Sequence, residues 1–111
     1  MKISHLDHLV LTVADIETTC QFYQSALNFE VITFGENRKA LRFGTQKINL
    51  HQVGKEFEPK ALHPTAGSAD LCFIAETPID EVMAHLHVQN ISIVEGPLER
   101  TGATGKILSI Y

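Results

Sequence analysis

The sequence predicts one α+β domain, because the same supersecondary unit occurs twice along 111 residues. In each copy an apolar strand leads into an amphipathic helix, and short consecutive strands follow the helix. Each predicted helix has one apolar face, which needs a sheet to cover it. A repeated unit of this kind usually stacks on its copy to bury a common core, and an apolar content of 44% is sufficient for one.

In the first copy, strands are predicted at about residues 8–13, 30–34, 38–43 and 46–52. In the second copy they are predicted at about residues 69–75, 91–94 and 106–111. The repeat therefore predicts one more strand, equivalent to residues 46–52, after Tyr111. A long connection at residues 53–68, with two glycines and two prolines, joins the copies and is a candidate functional loop.

Capping residues locate both helices. Asp15 is a good N-cap for the first helix, and Asn28 suits the left-handed conformation that ends a helix. The second helix is predicted to begin at Thr77, with Pro78 in its first turn and Asp80 completing a pair like a capping box.

Composition limits the functional class. A formal charge of −4 argues against nucleic acid or an anionic membrane as the main partner. No apolar stretch approaches the ~18 residues of a membrane span, and no signal peptide is visible. Two cysteines within predicted elements suggest no disulfide framework, so we expect a cytoplasmic protein.

Three side chains on predicted strands form a candidate metal site. Strand alternation places His8, His51 and Asp70 on faces turned away from the helices. If the two sheets curl toward each other, these faces line one concave surface, and two histidines with a carboxylate suit a divalent first-row metal. The alternative is that both histidines are ordinary strand residues and that Asp70 caps a loop.

Two arginines are candidates for holding an anionic group of a substrate, because a guanidinium offers forked donors to a carboxylate. Arg38 begins the third strand, and Arg100 begins a glycine-containing loop. The alternative is that both are solubilising surface charges.

The arrangement of His8 within Leu6–Val13 and of His51 within Lys47–His51 resembles the vicinal oxygen chelate superfamily. This group includes glyoxalase I, extradiol dioxygenases, and fosfomycin- and bleomycin-resistance proteins, and the closest likeness is to small bacterial glyoxalase-like proteins. The resemblance implies two βαβββ modules whose mixed sheets form a cupped site around a divalent metal. Their boundaries would be module one at about 1–53, a loop at 54–67 and module two at 68–111, lacking its last strand.

The same resemblance implies the ligands. His8 and His51 match metal-ligand positions of the first module, and Asp70 matches a position where glyoxalases commonly have histidine. A fourth ligand, a glutamate, would come from the last strand of the second module. Without that strand, we expect the 111-residue chain to bind metal weakly and to be poorly active.

The resemblance favours a glyoxalase-like, metal-dependent lyase or isomerase that acts on a small substrate chelating the metal through adjacent oxygens. Nickel, zinc, iron or manganese would serve as the divalent metal. The alternatives are an iron-dependent, extradiol dioxygenase-like enzyme and a metal-free protein that binds a small ligand, like the bleomycin-resistance members. Apolar surface left by two small modules predicts a homodimer.

Overall fold

A four-stranded mixed sheet with one helix dominates the first of two compact units in the computed structural model, which describes residues 1–111. This unit comprises Met1–Leu71. Its elements are β1 (His8–Val13), α1 (Ile16–Leu27), β2 (Glu30–Phe34), β3 (Arg38–Phe43) and β4 (Gln46–Gln52). The strand order is β1-β4-β3-β2. β1 runs parallel to β4, and the other neighbours are antiparallel. The predicted α+β class is confirmed.

Both predicted ends of α1 are confirmed. The Asp15 carboxylate accepts a hydrogen bond from the Thr18 backbone N–H at 2.8 Å. Asn28 adopts the left-handed conformation, with φ 56° and ψ 29°. Its N–H donates to the Gln24 carbonyl at 3.1 Å, so a terminal carbonyl of the helix is satisfied. Side chains that prefer caps thus fixed both ends of this helix.

The Asp15 cap should make the first unit sensitive to acid. Hydrogen bonds from Thr18 hold the pKa of Asp15 below its ordinary value. A depressed folded-state pKa contributes stability above the unfolded pKa, and this contribution is lost as the pH falls through the folded value. We expect Asp15→Ala to lower the urea midpoint at pH 7. The urea midpoints of this variant at pH 7 and at pH 3 should also differ less than those of the wild type. Asp15→Asn, which keeps a cap without the charge, should stay near the wild-type midpoint at pH 7. Equal pH dependence in all three proteins would contradict the cap assignment.

The core of the first unit lies on the sheet face that packs against α1. Leu41 pairs directly with Ile48, and Leu50 follows on the same face of β4. The exposed fractions of these three side chains are 0%, 1% and 2%. Stacked rings of Tyr23, Phe29 and Phe43 join the helix to this face, with centroid distances of 5.6 and 4.4 Å. Strand alternation places Leu41 and Phe43 of β3 on the same side as Ile48 and Leu50 of β4.

The second unit, Cys72–Tyr111, has one helix and one hairpin. α2 spans Ile79–Val88, and β5 (Leu98–Thr101) pairs antiparallel with β6 (Lys106–Ser109). Beyond the hairpin, the Tyr111 N–H donates to the Glu95 carbonyl at 2.8 Å. Gly96 has a φ of 105°, and a Cβ there would clash with the Ser109 carbonyl oxygen. Glycine is therefore required where these two segments approach.

Several expectations for the second copy are wrong. Residues 69–75 and 91–94 form no strand, because they lack the continuous ladder of a neighbouring strand. Pro78 itself occupies the N-cap of α2, without a side-chain cap, so Thr77 and Asp80 form no capping box. Arg100 lies within β5 and does not begin a loop. Neither helix has the length and apolar character that crossing a membrane requires.

Candidate ligand-binding face

The sheet face opposite α1 carries several charged and polar side chains and is called the open face below. Pairing registers define it, because paired residues point to the same side of a sheet. Three rows of side chains run across the four strands. The rows are His8, Lys47, Arg42 and Glu30; then Val10, Asn49, Ala40 and Ile32; then Thr12, His51, Arg38 and Phe34.

Arg42 and Glu30 neutralise each other at one edge of the open face. The guanidinium donates from Nε and from Nη2 to the same Glu30 carboxylate oxygen, at 3.0 and 2.6 Å. These two residues are direct partners across β2 and β3. Their charges are mutually satisfied, so neither is the first candidate for holding a ligand.

Lys47 crosses the open face diagonally. Its ammonium lies 4.3 Å from the ring centroid of Phe34, which belongs to a different row on β2. The path between them passes over Ala40, whose exposed fraction is 0% although it belongs to the open face. We call this diagonal contact the Lys47 strap. No carboxylate lies within ion-pair distance of the ammonium.

The ring of Phe57, in the long connection at residues 53–68, contacts both Arg38 and His51. The Arg38 guanidinium lies 4.4 Å from the ring centroid of Phe57, and the His51 ring meets the same ring edge-on at 5.9 Å. His51 has an exposed fraction of only 7%. Nearby, hydrogen bonds from the backbone N–H groups of Glu56 and Gly54 lower the pKa of Glu56. The connection therefore folds back over one end of the open face.

Asn49, in the middle row, has an unsatisfied polar atom. Its Oδ1 is buried, and no group in the structure donates a hydrogen bond to it. No other buried side-chain nitrogen or oxygen lacks a partner. Leaving a buried carbonyl unpaired typically costs about 1–3 kcal/mol. Asn49 lies in the row between the one that contains Lys47 and the one that contains Arg38.

His8, at the outer edge of the open face, is held by its neighbour in sequence. Its Nδ1 lies 2.7 Å from a carboxylate oxygen of Asp7. This hydrogen bond lowers the pKa of Asp7, so the carboxylate is ionised and accepts the proton that Nδ1 carries. The other nitrogen, Nε2, is then the unprotonated one in the neutral ring. That orientation is also common for histidines that bind metals.

The predicted metal ligands are only partly brought together. His8 and His51 share the open face, as strand parity predicted, but the register pairs His8 with Lys47 and His51 with Thr12. His8 and His51 are therefore four positions apart along the paired strands, which is a separation of roughly 13 Å. Asp70 lies exposed outside any strand. No three His, Cys, Asp or Glu side chains are grouped to hold a metal ion, so the donor set does not fit a divalent metal. The ligand roles of these three residues stay predictions.

The two predicted anion-binding arginines have different surroundings. Arg38 lies on the open face of the first unit and meets only the Phe57 ring. Arg100 lies in the second unit, where its Nη2 is 3.6 Å from a Glu95 carboxylate oxygen and its guanidinium is 5.8 Å from the Tyr111 ring. Arg38 is therefore the one with an uncompensated charge.

Sequence reasoning missed three residues of the open face. Lys47, Asn49 and Phe57 were not among the candidate site residues. Asn49 gave a usable signal, because a polar residue alternates with the buried Ile48 and Leu50 in β4. The contact between Lys47 and Phe34 depends on the register, which the local sequence does not contain.

Comparisons with known proteins identify the family. The model of the Glyoxalase/Bleomycin resistance protein/Dioxygenase superfamily matches residues 5–107. Virulence protein STM3117 of Salmonella typhimurium is 64% identical over the whole chain, which spans 77% of that relative. Its crystal structure superposes with a TM-score of 0.97, and the match covers 88% of the crystallised chain. Glyoxalase domain-containing protein RDO1 of Mycosarcoma maydis is 55% identical over the whole chain, which spans 62% of that protein.

A more distant likeness extends to the fosfomycin resistance protein FosX of Listeria monocytogenes, in a complex with Mn(II) and 1S,2S-dihydroxypropylphosphonic acid. The TM-score is 0.60 at 24% identity, over 99% of this chain and 81% of the other, so this likeness concerns the fold alone. The family match over residues 5–107 and the two close relatives carry the assignment. The chain belongs to the glyoxalase, bleomycin resistance and dioxygenase superfamily.

Proposed function

We propose that the chain binds a small organic anion on the open face of its first unit. The observation that carries this proposal is the pair of cations, Arg38 and Lys47, whose charged groups meet only aromatic rings. A buried acceptor, Asn49, lies between their rows. The proposal places the chain among the superfamily members that bind small molecules.

The charge balance of the open face supports an anionic ligand. Arg42 is neutralised by Glu30, whereas Arg38 and Lys47 have no carboxylate within ion-pair distance. Lys47 acts on Asp7 only through longer-range attraction. A carboxylate or similar group would gain charge-assisted hydrogen bonds from both, and these are stronger than bonds between neutral groups. The Phe57 ring beside Arg38 suits a ligand with a flat apolar part.

The proposal is tested by calorimetric titration with phenylacetate and with phenylacetamide, which have the same shape but differ in charge. We expect saturable binding of phenylacetate, weakened by 0.5 M NaCl, and no measurable binding of the neutral amide. Chemical-shift changes on the open face should accompany binding. Equal affinity for both probes, or no binding of phenylacetate at low salt, would refute the proposal.

A metal-dependent lyase or isomerase is the second candidate, and the Asp7–His8 hydrogen bond favours it. That bond fixes the imidazole with Nε2 free to bind a metal. The candidate needs at least two further ligands, which the chain's residues do not assemble. Titration with Ni²⁺, Zn²⁺ and Mn²⁺ tests it, with His8→Ala and His51→Ala as variants. Submicromolar binding that both variants abolish would support this candidate, and binding unchanged in both would reject it.

We also propose that the chain forms a homodimer. Large apolar side chains remain exposed in each unit, among them Val10, Phe22, Ile74 and Leu108. Burial of such surface against a second copy is the commonest route to a closed oligomer. Sedimentation velocity at micromolar concentration tests this, and a single monomeric species would contradict it.

A further inference from the structure

We infer that Asn49 selects ligands that carry an uncharged hydrogen-bond donor, a hydroxyl group, next to their acid group. This inference rests on the proposed anion site and adds the substrate class. Its starting point is the buried Oδ1 of Asn49, the one buried side-chain polar atom of the structure without a partner. In a ligand complex, a donor placed there would satisfy it.

The sheet register places Asn49 in the row between those of Arg38 and Lys47. Asn49 pairs with Ala40 on β3, and Arg38 and Lys47 lie two positions from that pair on opposite sides. An acid group held by the two cations would therefore keep its adjacent carbon over the middle row. A substituent on that carbon reaches Asn49 without any change of strand register.

Charge decides which kind of donor fits. An ammonium group on the ligand would lie between Arg38 and Lys47 and would be repelled by both. A hydroxyl group donates to Oδ1 without that penalty, whereas a ketone oxygen at the same carbon has no proton to donate. The favoured class is therefore 2-hydroxy acids over 2-oxo acids and unsubstituted acids.

The Lys47 strap explains how Oδ1 becomes accessible. The strap spans Ala40, the direct neighbour of Asn49, and holds the ammonium against Phe34. When the ammonium moves from the ring to a ligand carboxylate, the middle row is uncovered. The contact between the half-buried Lys47 ammonium and the ring is weaker than a charge-assisted hydrogen bond, so a carboxylate competes with it successfully.

Freeing the strap should strengthen anion binding. Phe34→Leu removes the ring that holds the Lys47 ammonium, and we expect phenylacetate to bind about 2–5-fold more tightly. Phe22→Leu, which changes an exposed ring on α1, is the matched control and should leave the affinity unchanged. Weaker binding in Phe34→Leu than in Phe22→Leu would show that the ring contacts the ligand and that no strap competes with it.

The inference is tested with mandelate, phenylacetate and phenylglyoxylate, which differ only in carrying a hydroxyl, two hydrogens or a ketone beside the carboxylate. In the wild type we expect mandelate to bind about 10-fold more tightly than the other two. In Asn49→Leu, mandelate and phenylacetate should bind equally, with the phenylacetate affinity retained. The three-probe series in the wild type decides the question even if the variant does not fold.

Each other outcome overturns the inference. A preference for mandelate that persists in a folded Asn49→Leu variant places hydroxyl recognition elsewhere. Tighter binding of phenylglyoxylate than of mandelate would mean that Asn49 presents its NH2 group, a donor, to the ligand and not the acceptor Oδ1. Equal wild-type affinities for mandelate and phenylacetate reject the role of Asn49 and leave the anion site standing. Absence of binding by all three rejects the anion site as well.

Discussion

An Arg38→Gln, Lys47→Gln double variant is expected to bind phenylacetate at least about 10-fold more weakly than the wild type. Each cation contributes a charge-assisted hydrogen bond, and the loss of one such bond costs about 1.5–3 kcal/mol, or tenfold and more in affinity. Both side chains bind the same acid group, so their separate contributions need not add, and the double variant removes both at once. Calorimetric titration at low salt measures the loss.

The matched control is Lys39→Gln, Lys60→Gln, which removes the same number of positive charges from the chain. Lys39 lies on the helix side of the sheet, where its Nζ donates to the Thr33 hydroxyl at 2.6 Å, and Lys60 lies in the connection near Glu58. This control should retain wild-type affinity, apart from a small effect of net charge. If both double variants lost affinity equally, binding would depend on overall charge and not on a site.

The first unit was predicted accurately from the sequence because its signals are local. The bounds of β2, β3 and β4 agree with the predicted strands, and Asp15 and Asn28 end α1 as predicted. A cap depends on one side chain and the backbone beside it, and strand alternation depends on neighbouring residues. These properties are present in a short stretch of sequence.

The second unit was predicted less well because a strand needs a partner. Residues 71–75 have the apolar alternation of a strand, yet no neighbouring segment supplies the hydrogen bonds of a ladder. The backbone groups of residues 94 and 95 form hydrogen bonds with the backbone of Tyr111, without a continuous ladder. Strand propensity depends strongly on context, so the pattern alone overestimates strand content here. Conversely, Leu98–Thr101 pairs with Lys106–Ser109, although Arg100 was expected to begin a loop.

The candidate site was predicted by face but not by register. Parity placed His8 and His51 on the same side, and the pairing then set them four positions apart. The offset between two strands is decided by packing of the whole sheet, which no single strand encodes. The same offset brings Lys47 within reach of Phe34, a contact that the sequence reading did not include.

Leu41→Ala is expected to destabilise the first unit by about 2–5 kcal/mol, because it removes a side chain with no exposed surface and leaves a cavity. Leu41 pairs with both Val31 and Ile48, so the cavity would open at the centre of the sheet, between two strands. Leu62→Ala makes the same chemical change at a position that is 86% exposed, and it should cost less than about 0.5 kcal/mol. Urea unfolding followed by circular dichroism measures both. Small domains have a total stability of about 5–15 kcal/mol. Leu41→Ala should therefore unfold at a much lower urea concentration than the wild type, whereas Leu62→Ala should keep the wild-type midpoint. Equal midpoints for the two variants would mean that the face beneath α1 is not the core that holds the open face in place.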